Sequence, residues 1–279
     1  MKPIITATEL LEIFGDKNLI ILDARTGKNA HQNYLEKHIK GARFIDLDQD
    51  LAEIGDNPAF GGRHPLPDLF SFAKTLSDLG VSENSHVVIY DTSFGANAAA
   101  RCWWMLKSFG LQKVQVLSGG FQSVEKAGIE MTSGEEHLHK STIKIPENWQ
   151  LPTSDIYEVE KSIAENSATV IDVRDAYRYN GESEPIDLVA GHIPGAINIP
   201  FSENLDENGE FLSPKILNEK YENFLNKKPK KLIIHCGSGV TACHTILALE
   251  HAGFQTTNLY IGSWSEWSRR DKEIAKEVL

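Results

Sequence analysis

The chain has 279 residues, with 28 Lys and Arg against 39 Asp and Glu, and a formal net charge of −11. One hydrophobic core stops growing at roughly 250–300 residues, so this length calls for two. The charge argues against a nucleic-acid partner, and any anionic substrate must be held by a local positive field. The opening Met1-Lys2-Pro3-Ile4-Ile5 lacks the apolar stretch of a signal peptide, and no run approaches the ~18 apolar residues of a membrane span. Three cysteines, at 102, 236 and 243, do not make a disulfide framework. The expectation is a soluble cytoplasmic protein with no membrane partner.

In chain order the first predicted element is Ile20-Ile21-Leu22-Asp23-Ala24-Arg25, a buried strand with polar residues at its exit. His38-Ile39-Lys40-Gly41-Ala42 follows, and then an apolar stretch over 44–47. His86-Val87-Val88-Ile89-Tyr90-Asp91 reads as a second strand, and 98–109 as a helix closed by Gly110 at the C′ position. Val116-Leu117-Ser118-Gly119-Gly120-Phe121 ends this half. The segment 133–153 carries Glu135, Glu136, His137, His139, Lys140, Pro146 and Pro152 without an apolar period, as an exposed connector would.

The landmarks then recur in the same order. Val170-Ile171-Asp172-Val173-Arg174 echoes the first strand, and His192-Ile193-Pro194-Gly195-Ala196 echoes the histidine motif. Leu232-Ile233-Ile234-His235-Cys236 matches the second strand and places Cys236 where the first half has Asp91. A helix over 241–252 closed by Gly253 comes next, and Leu259-Tyr260-Ile261-Gly262-Ser263-Trp264 completes the set. Short apolar strands alternating with helices imply an α/β fold, each half a mostly parallel sheet flanked by helices on both faces. The predicted organisation is a domain over 1–132, a connector over 133–153 and a second domain over 154–279. Ligands of such sheets bind beyond the carboxyl ends of the strands, where Cys236 and Asp91 both fall.

Cys236 is the candidate nucleophile. Gly237 and Gly239 let successive backbone N–H groups turn inward, and the following helix aims its unsatisfied amides at the same point, an environment that favours a thiolate. The plain alternative is a buried structural cysteine, which is the expectation for Cys102 and Cys243 among their aromatic and aliphatic neighbours. A phosphatase-type loop needs an arginine where this chain has Ala242, and a redox pair needs a second cysteine much nearer than Cys243. A lone thiolate without a guanidinium clamp suits attack on a soft atom such as sulfur. Arg178, just beyond the Val170 strand, can grip a carboxylate or sulfonate-like group bidentately. Trp264 and Trp267 are expected to cap the second core. The ten histidines include no pair at a convincing ligand spacing, so no metal is called for.

Cys-Gly-Ser-Gly-Val-Thr-Ala-Cys, residues 236–243, resembles the active loop of the 3-mercaptopyruvate branch of the two-domain rhodanese superfamily. Gly191-His192-Ile193-Pro194-Gly195-Ala196, Asn198-Ile199-Pro200-Phe201 and Gly262-Ser263-Trp264-Ser265-Glu266-Trp267 resemble it too, so the likeness spans nearly the whole chain. The resemblance implies a sulfurtransferase with two tandem domains and no cofactor, the first silent because Asp91 holds the nucleophile position. Sulfur would pass from a small anionic donor, 3-mercaptopyruvate, to Cys236 as a persulfide, and then to cyanide or a thiol acceptor such as thioredoxin or a low-molecular-weight thiol. Main-chain amides of Gly237, Ser238, Gly239, Val240 and Thr241 would hold the developing charge, and Arg178 would orient the donor. The family pairs the loop serine with a first-domain histidine and an acid about ten residues before it. By motif these are Ser238 and His38, but residues 27–29 supply no acid. Nor is there a second arginine after the Glu184-Pro185 pair, where the chain continues Ile186-Asp187. Thiosulfate as donor, a non-catalytic sulfur carrier and a redox-sensing scaffold are the competing expectations.

Overall fold

A computed structural model describes residues 1–137, 139–225, 231–255 and 257–277. The chain divides into two compact units. The first comprises Met1–Glu53, Pro67–Leu151 and Asp206–Phe211; the second comprises Ile54–Leu66, Pro152–Leu205 and Leu212–Leu279.

The first unit is built on a five-stranded sheet in the spatial order Ile4–Ile5, Val114–Leu117, His86–Tyr90, Leu19–Asp23, Ala42–Phe44, with every pairing parallel. The central strands are apolar along their length because helices cover both faces. Ile21, Val88 and Tyr90 belong to a buried cluster with Leu10 and Val124, whose helices pack on that face. Thr6 and Glu9 form a reciprocal capping box that starts Ala7–Ile13, and Asp68 caps Leu69–Asp78 by accepting from the Phe70 and Ser71 amides. The helix Ala98–Phe109 is buried nearly all round and ends, as its sequence predicts, at Gly110 with φ +113°.

The second unit repeats the plan: Ile197–Asn198, Ala168–Asp172, Lys231–His235, Thr257–Tyr260, Thr153–Ser154, again all parallel. Trp264 and Trp267 are buried in its core with Val170, Ile233 and Tyr260, so both cap that core as expected. The internal repeat extends to side chains. Arg25 doubles onto Asp23 and reaches the Lys37 carbonyl at 2.9 Å; Arg174 doubles onto Asp172 and reaches the Gly191 carbonyl at 2.7 Å. Each guanidinium lies over a ring, Phe121 at 4.9 Å in one unit and Trp264 at 4.5 Å in the other.

The units are not the contiguous halves expected from sequence. Residues 133–151 of the predicted connector pack on the first unit, where Trp149 sits against Phe72, Trp104 and Phe109 and the Gln150 amide bonds the Ser108 carbonyl. In the other direction, 54–66 leaves the first unit's sequence and joins the second. The Gly61 amide donates to Glu266 Oε1 at 3.1 Å and the Arg63 amide to Ser265 Oγ at 3.1 Å. Glycine and proline give that segment no periodic signal, so its allegiance depends on polar contacts that no hydropathy pattern registers. Among the described residues no helix is long and apolar enough to cross a membrane.

Candidate active site

The strand Lys231–His235 lies between Ala168–Asp172 and Thr257–Tyr260, and Cys236 is the next residue beyond its carboxyl end. Helix Thr241–His251 begins five positions after the cysteine. Gly239 makes the turn at φ +75°, and a Cβ there would lie 2.7 Å from the Ile261 carbonyl oxygen. A side chain is therefore excluded twice, by conformation and by space. The 262–265 segment fastens the loop. The Cys236 amide donates to Ser263 Oγ at 3.2 Å, the Trp264 amide donates to the Cys236 carbonyl at 3.0 Å, and the Ser265 amide donates to the Gly237 carbonyl at 2.8 Å. Ser263 adopts φ +52°, a left-handed conformation costly for a residue with a side chain and typical of over-determined functional sites. The cysteine is 2% exposed and Ser238 5%, so a donor molecule must enter a confined space where electrostatic interactions are strong.

The first unit shows what such a loop holds when it carries a carboxylate. Asp91 accepts from the backbone amides of Ser93, Gly95, Asn97 and Ala99 at 2.8–3.2 Å. Burial nevertheless pushes its carboxyl above the ordinary range, against the lowering effect of those four donors. Its helix starts at Ala98, so this loop is two residues longer than the Cys236 loop. Cys102 and Cys243 are fully buried, and Cys243 Sγ donates to the Gly239 carbonyl at 3.2 Å. Burial pushes the Cys102 thiol up, consistent with a packing role.

Ser238 has a histidine partner, but it is His64, whose Nδ1 lies 2.7 Å from Ser238 Oγ. The expectation for His38 is corrected. His38 is fully buried within the first unit, stacked on Tyr34 at 4.0 Å with Nδ1 bonded to the Tyr34 carbonyl at 2.7 Å. His192 repeats this in the second unit, stacked on Tyr179 at 3.7 Å and bonded to its carbonyl at 2.9 Å. The shared motif histidine is thus a packing element in both copies. His64 escaped the sequence reading because it lies in 54–66, outside every repeated landmark; the Gly61-Gly62-Arg63-His64-Pro65 run was the available signal.

Arg178 comes to the loop as expected, with its fork already engaged. Nε lies 3.0–3.1 Å from both Glu184 carboxylate oxygens and Nη2 lies 2.7 Å from Oε1. Burial alone would lower the Arg178 pKa, and the Glu184 hydrogen bonds and charge outweigh it, so the guanidinium is held above its usual value. Glu184 is shifted in the complementary direction: burial would raise it, and Arg178 with the Ile186 and Asp187 amides brings it below the usual carboxylate range. Asp187 pairs with Arg63 at 3.2 Å and with Arg269 at 2.9 Å. Beneath the loop, burial lowers the pKa of His235 against the opposing pull of Asp172, which leaves a neutral imidazole at neutral pH.

Two copies of the rhodanese-like domain model match this chain, over residues 6–127 and 155–270. The chain is 38% identical over 270 residues to the probable 3-mercaptopyruvate sulfurtransferase of Pseudomonas aeruginosa, covering 95% of this chain and 94% of that protein. It is 33% identical over 270 residues to the putative thiosulfate sulfurtransferase SseB of Mycobacterium tuberculosis, covering 95% and 93%. Among solved structures, SseA from Escherichia coli, described as having the rhodanese fold of the 3-mercaptopyruvate enzymes, superposes with a TM-score of 0.80 at 32% identity, covering 95% of this chain and all of that one.

Proposed function

The chain belongs to the two-domain rhodanese superfamily, in its 3-mercaptopyruvate sulfurtransferase branch, and from that membership we propose that Cys236 takes the sulfur of 3-mercaptopyruvate and passes it to a thiol acceptor. The observation that carries this reading is the convergence, within one unit, of Cys236 at a strand end, the Ser238–His64 pair and the Arg178 guanidinium.

Cys236 thiolate attacks the donor's sulfur. The new bond is S–S, the bond that breaks is C–S, and its electron pair stays on the donor's carbon as pyruvate enolate. One proton, the one first carried by the donor's thiol, ends on that carbon, so that pyruvate leaves and a persulfide anion remains. His64 and Ser238 are placed to relay that proton. The inward amides of residues 237–241 take the negative charge that passes from thiolate to outer persulfide sulfur, as an oxyanion hole does. A thiol acceptor, a low-molecular-weight thiol or a thioredoxin, attacks the outer sulfur and returns the Cys236 thiolate, which predicts ping-pong kinetics. No disulfide joins the three cysteines, which suits a reducing compartment such as the cytoplasm.

Thiosulfate is the second reading, favoured by the cationic groups beside the loop and opposed by the neutral Gly237-Ser238 pair. Initial rates with the two donors separate them. The expected outcome is faster turnover with 3-mercaptopyruvate and a mass gain of one sulfur atom on the donor-treated protein, lost in Cys236→Ser. Donor-treated wild type without that gain would exclude covalent transfer.

A further inference from the structure

Directly before the nucleophile stands a histidine that the reaction above does not use. His235 closes the strand Lys231–His235, and its side chain is fully buried. Nδ1 lies 3.3 Å from the Cys236 carbonyl oxygen, while Nε2 has no hydrogen-bond partner among the described residues and lies 3.8 Å from Asp172 Oδ2. A buried ring nitrogen left unmatched is costly, so its place beside the reacting sulfur needs a reason.

We propose that His235 is a positioning residue for sulfur transfer: its Nδ1–H holds the Cys236 carbonyl from behind and thereby aims the Gly237 N–H at the sulfur that Cys236 receives. This rests on the sulfur-donor reading above.

The place of the ring proton follows from what surrounds it. Arg174 engages both Asp172 oxygens, with Nε at 3.0–3.1 Å and Nη2 at 2.6 Å, and 3.8 Å is too long for a further hydrogen bond from Nε2. Burial, with Arg174 and His192, disfavours the charged ring; Asp172 and the Cys236 carbonyl favour it. Burial is the largest of these effects, and the imidazole is neutral. Tyr260, whose ring centroid is 6.3 Å from that of His235, donates its hydroxyl to Glu266. A neutral ring carries one N–H, and the acceptor within its reach is the Cys236 carbonyl, so the proton sits on Nδ1.

That carbonyl is therefore held by two donors, the Trp264 amide at 3.0 Å and Nδ1 at 3.3 Å. In a trans peptide the C=O and the following N–H point in opposite directions. With the carbonyl turned back, the Gly237 N–H faces the other way, and no acceptor among the described residues takes it. Glycine at 237 offers no side chain to resist a flip of this peptide, so its orientation depends on what grips the carbonyl. The first unit supplies the contrast. There the Asp91 carbonyl takes the Phe121 amide at 2.9 Å, as the Cys236 carbonyl takes that of Trp264, but Tyr90 stands in the histidine's position and donates to Asp23 Oδ2 at 2.6 Å. The second grip on the carbonyl comes with the histidine, in the unit that carries the cysteine.

The test is single-turnover persulfide formation from 3-mercaptopyruvate, read by mass spectrometry, in full-length His235→Leu, His235→Gln and His235→Asn. His235→Leu removes the donor and should slow the step by roughly five- to tenfold, as for loss of one hydrogen bond, with the half-saturating donor concentration within about twofold of wild type. The amide of His235→Asn can occupy the place of Nδ1 and should restore the rate to within about twofold, whereas His235→Gln sets its amide nearer Nε2 and should stay as slow as His235→Leu. A rate for His235→Leu equal to wild type overturns the assignment while the sulfur-donor reading stands. Equal slowing in all three variants also overturns it, by making His235 a packing residue. Nitrogen NMR of wild type needs no variant: the His235 ring should carry its proton on Nδ1, and a proton on Nε2 overturns the proposal. Wild type that forms no persulfide removes the parent reading and this one with it.

Discussion

Ser238 and His64 stand 174 positions apart and meet at 2.7 Å. If the hydroxyl and imidazole move one proton together, losing either breaks the same relay. Ser238→Ala and His64→Ala should each lower kcat by about 10²-fold with KM little changed, and the double variant should be no slower than the worse single one. Multiplied losses in the double variant would mean that the two act independently. At this scale the sequence was legible where chemistry is local. Cys236, Gly237, Ser238 and Gly239 lie in one run, and Arg178 follows its strand within a few residues. His64 was illegible because its role exists only through a partner distant in sequence. The resemblance points by motif to His38 as the first-domain histidine of the family, yet that histidine and its repeat counterpart His192 are stacking sites on Tyr34 and Tyr179.

Strand, loop and helix together make the cradle, and the two units show how little separates a loop that carries a carboxylate from one that carries a thiol. Both follow the central strand of a parallel sheet and both precede a buried helix. In the first, four amides spend their donors on Asp91. In the second, the loop is shorter and is held from behind by the 262–265 segment, which fixes its shape without filling its mouth. Gly239 is the test of that shape. Gly239→Ala places a Cβ 2.7 Å from the Ile261 carbonyl at φ +75°, and should destabilise the fold by roughly 1–3 kcal/mol while slowing persulfide formation more than it weakens donor binding. Thermal unfolding and single-turnover mass spectrometry measure the two effects. A variant as stable and as fast as wild type would show that the loop tolerates a different turn. The strands, the two glycine-closed helices and the repeat were readable because apolar runs and C′ glycines are local signals. The bonds from 262–265 were not, since the Ser263 conformation follows from packing and not from its residue type.

Across the whole molecule, order in the chain and membership in a unit diverge, and the divergence is where function was hardest to read. Segment 54–66 lies in the first half of the sequence but completes the second unit, bringing Arg63 and His64 to the loop around Cys236. Gly62 is its closest point of docking: at φ +80°, a Cβ there would lie 2.4 Å from the Gly262 carbonyl oxygen and 2.9 Å from Ser265 Oγ. Backbone on that side cannot yield cheaply, so Gly62→Val should lift the segment and displace both site residues at once. The expected result is a fall in kcat/KM by more than His64→Ala alone, because the guanidinium beside Gly237 and the proton relay leave the loop together. The first unit's core, built from Leu10, Ile21, Val88 and Val124, contains none of these contacts, so hydrogen exchange in its central strands should stay at the wild-type level. Retention of kcat/KM within about twofold would mean that the segment finds its place without the Gly62 contact and that its docking is set elsewhere, at the Gly61–Glu266 and Arg63–Ser265 bonds.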